Sequence, residues 1–342
     1  MPDDSERVAQ LVDLYNAAQV IDDPTSPPAL EQLTSRDLRY GWDLEPAKSY
    51  FYTPDGADGP VGVMNLGVSE RDNLQLVWVG ITIHPDHRRQ GHGTAIMNQA
   101  LRRTSEMGRS IVWVGTAADD GGAKAFVEKS GFAYASHEAR RRQQLCDVDS
   151  HAVDQLFAHA QQAAADYELV RMSPPIPDEI LLELIDVTEA INDAPMGDLT
   201  YEDSKFDLQR LQDLETARVG RGDEMYRVFA RHRQSGEIGG HTFVLTNPLR
   251  PTIGVQADTA VSRAHRGHRL GLLVKVDMMH WLADVEPGLE YIETWNHADN
   301  TFMISVNESI GYRLDRVYNI YERKLSRTTR NPPEPKMCTP RL

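Results

Sequence analysis

Apolar residues recur along this chain in two spacings, and the pair of spacings comes round twice. In the first half, Leu74 to Ile83 is an apolar run of strand length. Ile96, Met97, Ala100, Leu101 and Thr104 then return every three or four residues, which predicts a helix with one buried face. In the second half, Ile253 to Val261 is the strand-like run. Leu273, Val274, Met278, Trp281, Leu282 and Val285 form the helical face. Each helix is followed by a second strand, Ser110 to Val114 and Tyr291 to Trp295. A shorter helix comes next and ends at Gly131-Phe132 or Gly311-Tyr312, where glycine suits a left-handed cap.

The landmarks keep step. His87-Arg88 and His265-Arg266 lie 178 positions apart, and Gly131 and Gly311 lie 180 apart, so the unit is a repeat. Outside it, Glu6 to Ala18 and Pro28 to Tyr40 read as helices opening the first unit, and Pro177 to Ala194 and Asp207 to Val219 as those opening the second. Ser150 to Ala164, polar and Ala-rich, reads as a joining helix. The expected class is mixed α/β, with an N-terminal domain over 1–150, a linker helix over 151–166, a C-terminal domain over 167–326 and a tail over 327–342.

Between the first strand and the long helix of each unit lies a Gly-rich turn: Arg88-Arg89-Gln90-Gly91-His92-Gly93 in one, Arg266-Gly267-His268-Arg269-Leu270-Gly271 in the other. A turn that opens a helix exposes backbone N–H groups with no intrahelical acceptor, and the helix dipole reinforces them. Such a turn is a seat for a diphosphate, provided the backbone can come close.

The first of these turns, with Pro85 ahead of it, resembles the RxxGxG signature of the GNAT acetyltransferase superfamily. Glu128-Lys129-Ser130-Gly131-Phe132 is similar to a later motif of the same family. The resemblance implies two GNAT-like domains, each a splayed mixed central sheet flanked by helices. It also implies acetyl-CoA as cofactor, with its pantetheine between the fourth and fifth strands and its acetyl group passing directly to an amine. Carried over by position, the cofactor residues are Ile83, Arg88, Arg89, Gln90, Gly91, His92, Gly93 and Thr94 in the first unit. In the second they are Val261, Arg266, Gly267, His268, Arg269, Leu270, Gly271 and Asn300. Arg269 stands where the signature has its first glycine. The tyrosine acid common in the family is Val127 in one unit and Asn307 in the other, and neither can donate a proton in that way.

The fourth-strand position separates the copies, because Asp258 in the second aligns with Gly80 in the first. By simple alternation Ile253, Val255 and Ala257 point one way, and Gln256 and Asp258 the other. The second domain is therefore expected to carry the chemistry, with Asp258 and Glu293 as catalytic candidates and Asn296 and Asn300 nearby. An N-terminal catalytic domain, or a non-catalytic acyl-CoA-binding scaffold, stays open. Asn300 also suits a helix cap, and His87 and His265 suit turn partners. Tyr318 and Tyr321 are alternative acids, and Arg140-Arg141-Arg142 reads as a solvated strand edge.

Charge changes the picture modestly. The formal net charge of −15 argues against a nucleic-acid partner and tilts the acceptor toward a small cationic amine. Two cysteines, Cys146 and Cys338, are too few for a disulfide framework, and no metal spacing stands out. No stretch is apolar enough to span a membrane and no signal core opens the chain, so a cytoplasmic monomer or homodimer is expected.

Overall fold

A computed structural model describes residues 2–326; the tail and Cys338 lie outside the described residues. Helices α1 (Ser5–Asp22) and α2 (Glu31–Tyr40) open the chain. Strands β1 (Lys48–Tyr52), β2 (Gly62–Gly67) and β3 (Leu76–Ile83) follow, then α3 (His92–Glu106), β4 (Ile111–Ala117), α4 (Gly121–Lys129) and β5 (Ala133–Gln144). Helix α5 (Ser150–Ala163) bridges to β6 (Tyr167–Met172), α6 (Asp178–Glu189) and α7 (Leu208–Arg221). The second unit continues with β7 (Glu224–His232), β8 (Ile238–Asn247), β9 (Arg250–Val261), α8 (Leu270–Val285), β10 (Tyr291–His297), α9 (Thr301–Ser309) and β11 (Arg313–Lys324). Aspartate caps set several helix starts: Asp4, Asp120, Asp149 and Asp207 each accept from a backbone N–H in the first turn.

All strands join one sheet in the order β1-β2-β3-β4-β11-β5-β10-β9-β8-β7-β6. The sheet is antiparallel except at two places. Strand β3 runs parallel to β4 over Leu76–Trp78 and Ile111–Trp113, and β9 runs parallel to β10 over Ile253–Gln256 and Tyr291–Thr294. Beyond those residues neither pair is bonded across, although all four strands continue. Each unit thus opens a slot at the carboxyl ends of two parallel strands, where open α/β sheets characteristically hold ligands.

The order also shows an exchange. The last strand of the first unit, β5, pairs with β10 of the second, and the last strand of the second, β11, pairs with β4 of the first. The two exchanged strands pair with each other at the centre. Chain halves and sheet halves therefore differ by one strand each way.

Helices α3, α4, α5, α8 and α9 cover one face of the sheet. There Val77, Val79, Val112 and Val114 pack on α3 and Val127, and Val228, Val244 and Ile292 pack on α8. Helices α1, α2, α6 and α7 cover the other, over Val63, Phe229 and Phe243. On that second face the seam of exchanged strands is ionic. Arg140 is 3 % exposed and donates to Asp23, Asp315 and Ser26, while Arg142 donates to Glu293 and to the Thr25 carbonyl. The expectation of a solvated edge for Arg140–Arg142 is thus corrected. The strand that carries them is central rather than peripheral: the loop after α1 brings Asp23 onto Arg140 and the Thr25 carbonyl onto Arg142, β11 adds Asp315, and Arg141 is buried near Glu308 of α9.

Candidate functional site

The two Gly-rich turns have the same backbone built from different residues. Each leaves its strand through a 3-10 turn, Pro85–His87 or Arg263–His265, and then takes two left-handed residues. In the first copy these are Arg89 (φ 62°) and Gly91 (φ 88°); in the second they are Gly267 (φ 90°) and Arg269 (φ 56°). The glycine has changed places within the pair. A non-glycine residue in that region costs on the order of 1 kcal/mol, and each copy bears the cost once. A Cβ at Gly91 would touch no protein atom within 4 Å, and Arg269 itself is exposed and holds the same left-handed backbone.

Gly91 and Arg269 occupy the N-caps of α3 and α8. The first-turn N–H groups, those of His92, Gly93 and Thr94 in one copy and of Leu270, Gly271 and Leu272 in the other, therefore lack intrahelical acceptors. Arg88 and Arg266 are engaged. Both Nη atoms of Arg88 donate to Asp22 at 2.7 Å and its Nε donates to the Ile83 carbonyl. Arg266 repeats the pattern with Asp193 and the Val261 carbonyl. These side chains tie the opening helices to the turns, which leaves the backbone and Arg269 to meet an anion. His265 bonds the Tyr167 hydroxyl through Nδ1 at 2.8 Å, Gln90 bonds the Asp86 carbonyl, and the His268 ring faces the Ala163 carbonyl.

In the second unit the slot widens into a cavity of about 840 Å³, within the range of small-molecule sites. Asp258 lines it. Simple alternation fails here, because β8 and β9 lose register between Thr242/Thr259 and Val244/Gln256, so that Ala257 and Asp258 together oppose Phe243. This is a β-bulge, and it turns Asp258 onto the same face as Val255 and Ala257, against Phe243 and Arg227. The Asp258 carboxylate has no hydrogen-bond partner of its own among the described residues. Burial raises its pKa against the pull of Arg227 and Arg218. In the first unit β2 and β3 stay in register throughout, and the indole of Trp78 lies against Gly115 of the neighbouring strand.

Two groups that sequence reasoning missed face the same cavity. Glu138 comes from β5, the exchanged strand of the first unit, opposite His297 of β10; burial raises its pKa, and none of the described cations pairs with it. Lys275 of α8 is 2 % exposed. A lysine inside the run Leu272-Leu273-Val274-Lys275-Val276 was a legible signal. Glu138 had none, because its place follows from the exchange.

Other expected residues lie elsewhere. Glu293 lies outside the residues that line the cavity, and Arg142 binds it at 3.3 Å, which gives it a structural partner. Tyr318 donates to Asp23 at 3.0 Å, and Tyr321 is buried in the first unit's core. Asn300 borders the cavity and caps α9 by accepting from the Met303 N–H. Ile83 and Val261 end β3 and β9. Among the described residues, His137, His297 and Asp299 bring donor atoms within 4.8 Å of one another. The Tyr134 hydroxyl already bonds His137, and the Asp299 N–H already bonds His297.

The comparisons agree with this architecture. Residues 10–132 match the model of the acetyltransferase (GNAT) family. No curated protein sequence matches the chain. Among solved structures, a tandem GNAT protein from the clavulanic acid biosynthesis pathway is similar over 94% of this chain and 96% of its own, at TM-score 0.77 and 24% identity. A GCN5-related N-acetyltransferase from Sphaerobacter thermophilus is similar over 94% and 93%, at 0.67 and 15%. A GCN5-related glucosamine N-acetyltransferase region of a fungal multi-domain β-N-acetylglucosaminidase is similar over 93% of this chain and 37% of that one, at 0.69 and 14%.

Proposed function

We propose that this chain, a tandem GNAT-fold protein whose residues 10–132 belong to the GNAT family, is an N-acetyltransferase that moves an acetyl group from acetyl-CoA to the amine of a small molecule in its second unit. The observation that carries the reading is Asp258, a carboxylate with no hydrogen-bond partner among the described residues, which a bulge sets against Arg227 and Phe243 and which also lines the cavity that reaches the N-terminus of α8.

The residues suit acetyl-CoA. Backbone donors at Leu270 and Gly271 and the guanidinium of Arg269 offer the diphosphate a cationic seat. Asn307 is fully buried at the cavity wall with its Oδ1 unpartnered, an acceptor for an amide N–H such as pantetheine carries. When bound, the cofactor supplies an activated acyl carbon. The protein's own work is then to deprotonate and place the amine. Asp258, raised above the ordinary carboxylate range, is a better base at neutral pH than a solvated aspartate. Glu138, on the same face of the sheet, offers a positively charged acceptor a counter-charge, in keeping with the acidic character of the chain.

The first unit keeps the turn but has neither the bulge nor an acid at Gly80, and is assigned cofactor holding at most. The test combines calorimetry with turnover. Gly271→Glu sets a carboxylate where a diphosphate would sit and should abolish CoA release with an amine panel, while Gly91→Glu should spare it. Asp258→Asn should lower kcat by roughly 10²-fold or more. Full activity in Asp258→Asn, or loss confined to Gly91→Glu, would move the chemistry out of the second unit.

A further inference from the structure

Aligned positions in the two units make an internal control. Beneath the long helix of the first unit, Met97, Val127 and Phe132 meet in one apolar cluster, each at most 5 % exposed. The corresponding residues of the second unit, 178 to 180 positions on, are Lys275, Asn307 and Tyr312, each at most 2 % exposed. Three buried apolar side chains stand in one copy where three polar ones stand in the other. The fold at this place needs no polarity, since the first unit packs without it.

Lys275 is the costliest of the three. Among the described residues its Nζ finds no hydrogen bond or ion pair, and it rests 5.1 Å from the centre of the Tyr312 ring. Tyr312 in turn donates its N–H to the Asn307 carbonyl, and Lys275 and Asn307 both line the cavity. An ammonium is retained in an apolar interior when it has work there. The acyl transfer proposed above leaves one task unassigned, the return of a proton to the departing thiolate, and amide-bearing Asn307 is no acid for it.

Resting on that reading, we propose that Lys275 is the proton donor to the thiolate leaving group in the second unit. The bond from the acceptor nitrogen to the acyl carbon forms, and the acyl carbon–sulfur bond breaks with its electron pair remaining on sulfur. The proton of the attacking nitrogen goes to Asp258, and an Nζ–H proton of Lys275 goes to the sulfur. Asp258 then releases its proton to water and the free amine of Lys275 takes one up, which restores both groups for the next cycle.

The charged groups around α8 leave Lys275 to this role. Asp277 of the same helix binds Arg171, Asp154 of α5 faces His280, and Glu308 of α9 stands 4.0 Å from Arg141. On the cavity side stand Asp258, Glu138, His297, Arg269 and His265, the last bonded to Tyr167, with Asp193 held by Arg263 and Arg266. Burial pushes Tyr312 far up and His297 down, while Lys275 is pushed down to about 7 by the same cause, within reach of neutral-pH proton transfer.

The experiment is the pH dependence of kcat for the full chain with acetyl-CoA and a reactive amine, alongside calorimetric titration of acetyl-CoA. Lys275→Met installs the residue that the first unit already packs. It should lower kcat about 100-fold, leave cofactor affinity within about threefold, and remove the alkaline limb of the profile. Lys275→Arg, which keeps charge without a titrating proton, should be as slow. A Lys275→Met variant with kcat within threefold of wild type and its alkaline limb intact overturns the proposal. So does one whose whole loss lies in cofactor affinity. A wild type that releases no CoA with any amine overturns the acyl-transfer reading itself, whereas an active enzyme indifferent to Lys275 overturns this proposal alone.

Discussion

Replacing Lys275 with methionine should make the protein more stable, and pH fixes by how much. In an unfolded chain the ammonium keeps its ordinary pKa of 10.5; in the fold, burial lowers it to about 7. Between those values the unfolded chain binds a proton that the folded one does not, so wild-type stability rises with pH across the window. Below pH 7 the full penalty applies. Three and a half pKa units correspond to roughly 4–5 kcal/mol at pH 6, falling to about 2 kcal/mol at pH 9. Lys275→Met removes the titrating group, and methionine fills a similar volume. Urea unfolding followed by tryptophan fluorescence at pH 6 and pH 9 reads the difference. The variant should gain roughly 4 kcal/mol at the lower pH, and the gain should shrink by about 2–3 kcal/mol at the higher one. The shrinkage matters more than the offset, because packing changes around the substituted side chain are the same at both values. A gain equal at the two pH values, or a loss at both, would show that Lys275 is solvated or paired in the fold, and the argument from its burial would fall.

Glu138→Gln should raise KM for a cationic amine about tenfold while kcat changes less, read from initial rates at fixed acetyl-CoA; an unchanged KM would remove Glu138 from the acceptor site. Arg140→Met removes the cation that Asp23 and Asp315 share, leaving Arg316 beside the one and Arg142 beside the other, and should cost about 2–3 kcal/mol in urea unfolding. Because burial raises the Asp258 carboxyl, the acid limb of kcat/KM should lie above the ordinary aspartate range and disappear in Asp258→Asn.

Local chemistry was what the sequence could show. The helical stripe from Leu273 to Leu282, the strand runs and the two turns follow from spacings of a few residues, and each element appears where the spacing puts it. What escaped depends on pairing across long separations. Arg140 reads as solvated until Asp23, 117 residues earlier, is brought onto it, and Glu138 reads as an ordinary strand residue until β5 joins β10. The face of Asp258 escapes simple alternation for a local reason of another kind. A bulge has no signature in Val255-Gln256-Ala257-Asp258, yet one extra residue reverses which side a carboxylate serves. The departure at Arg269 resolves the opposite way: the backbone holds its left-handed turn, and glycine moves two places to Gly267.

The strand exchange gives the first unit a reason to persist without its own acid. If β5 folded back onto β4, the second unit would keep Asp258, Lys275 and its turn but lose Glu138 and Ser136 from the cavity wall. Delivery of β5 to β10 fixes the second site's wall from outside its own half of the chain. The ionic seam of Arg140, Arg142, Asp23, Glu293 and Asp315 binds the exchanged strands to one another and to the loop after α1, so that residues of both units hold Glu138 opposite His297. Loss of chemistry in one copy is then compatible with strong constraint on its last strand. On the proposed reading the units would divide the work: one carries the bulge and the proton-moving groups, and the other would supply a wall, a counter-charge and part of the clamp between them.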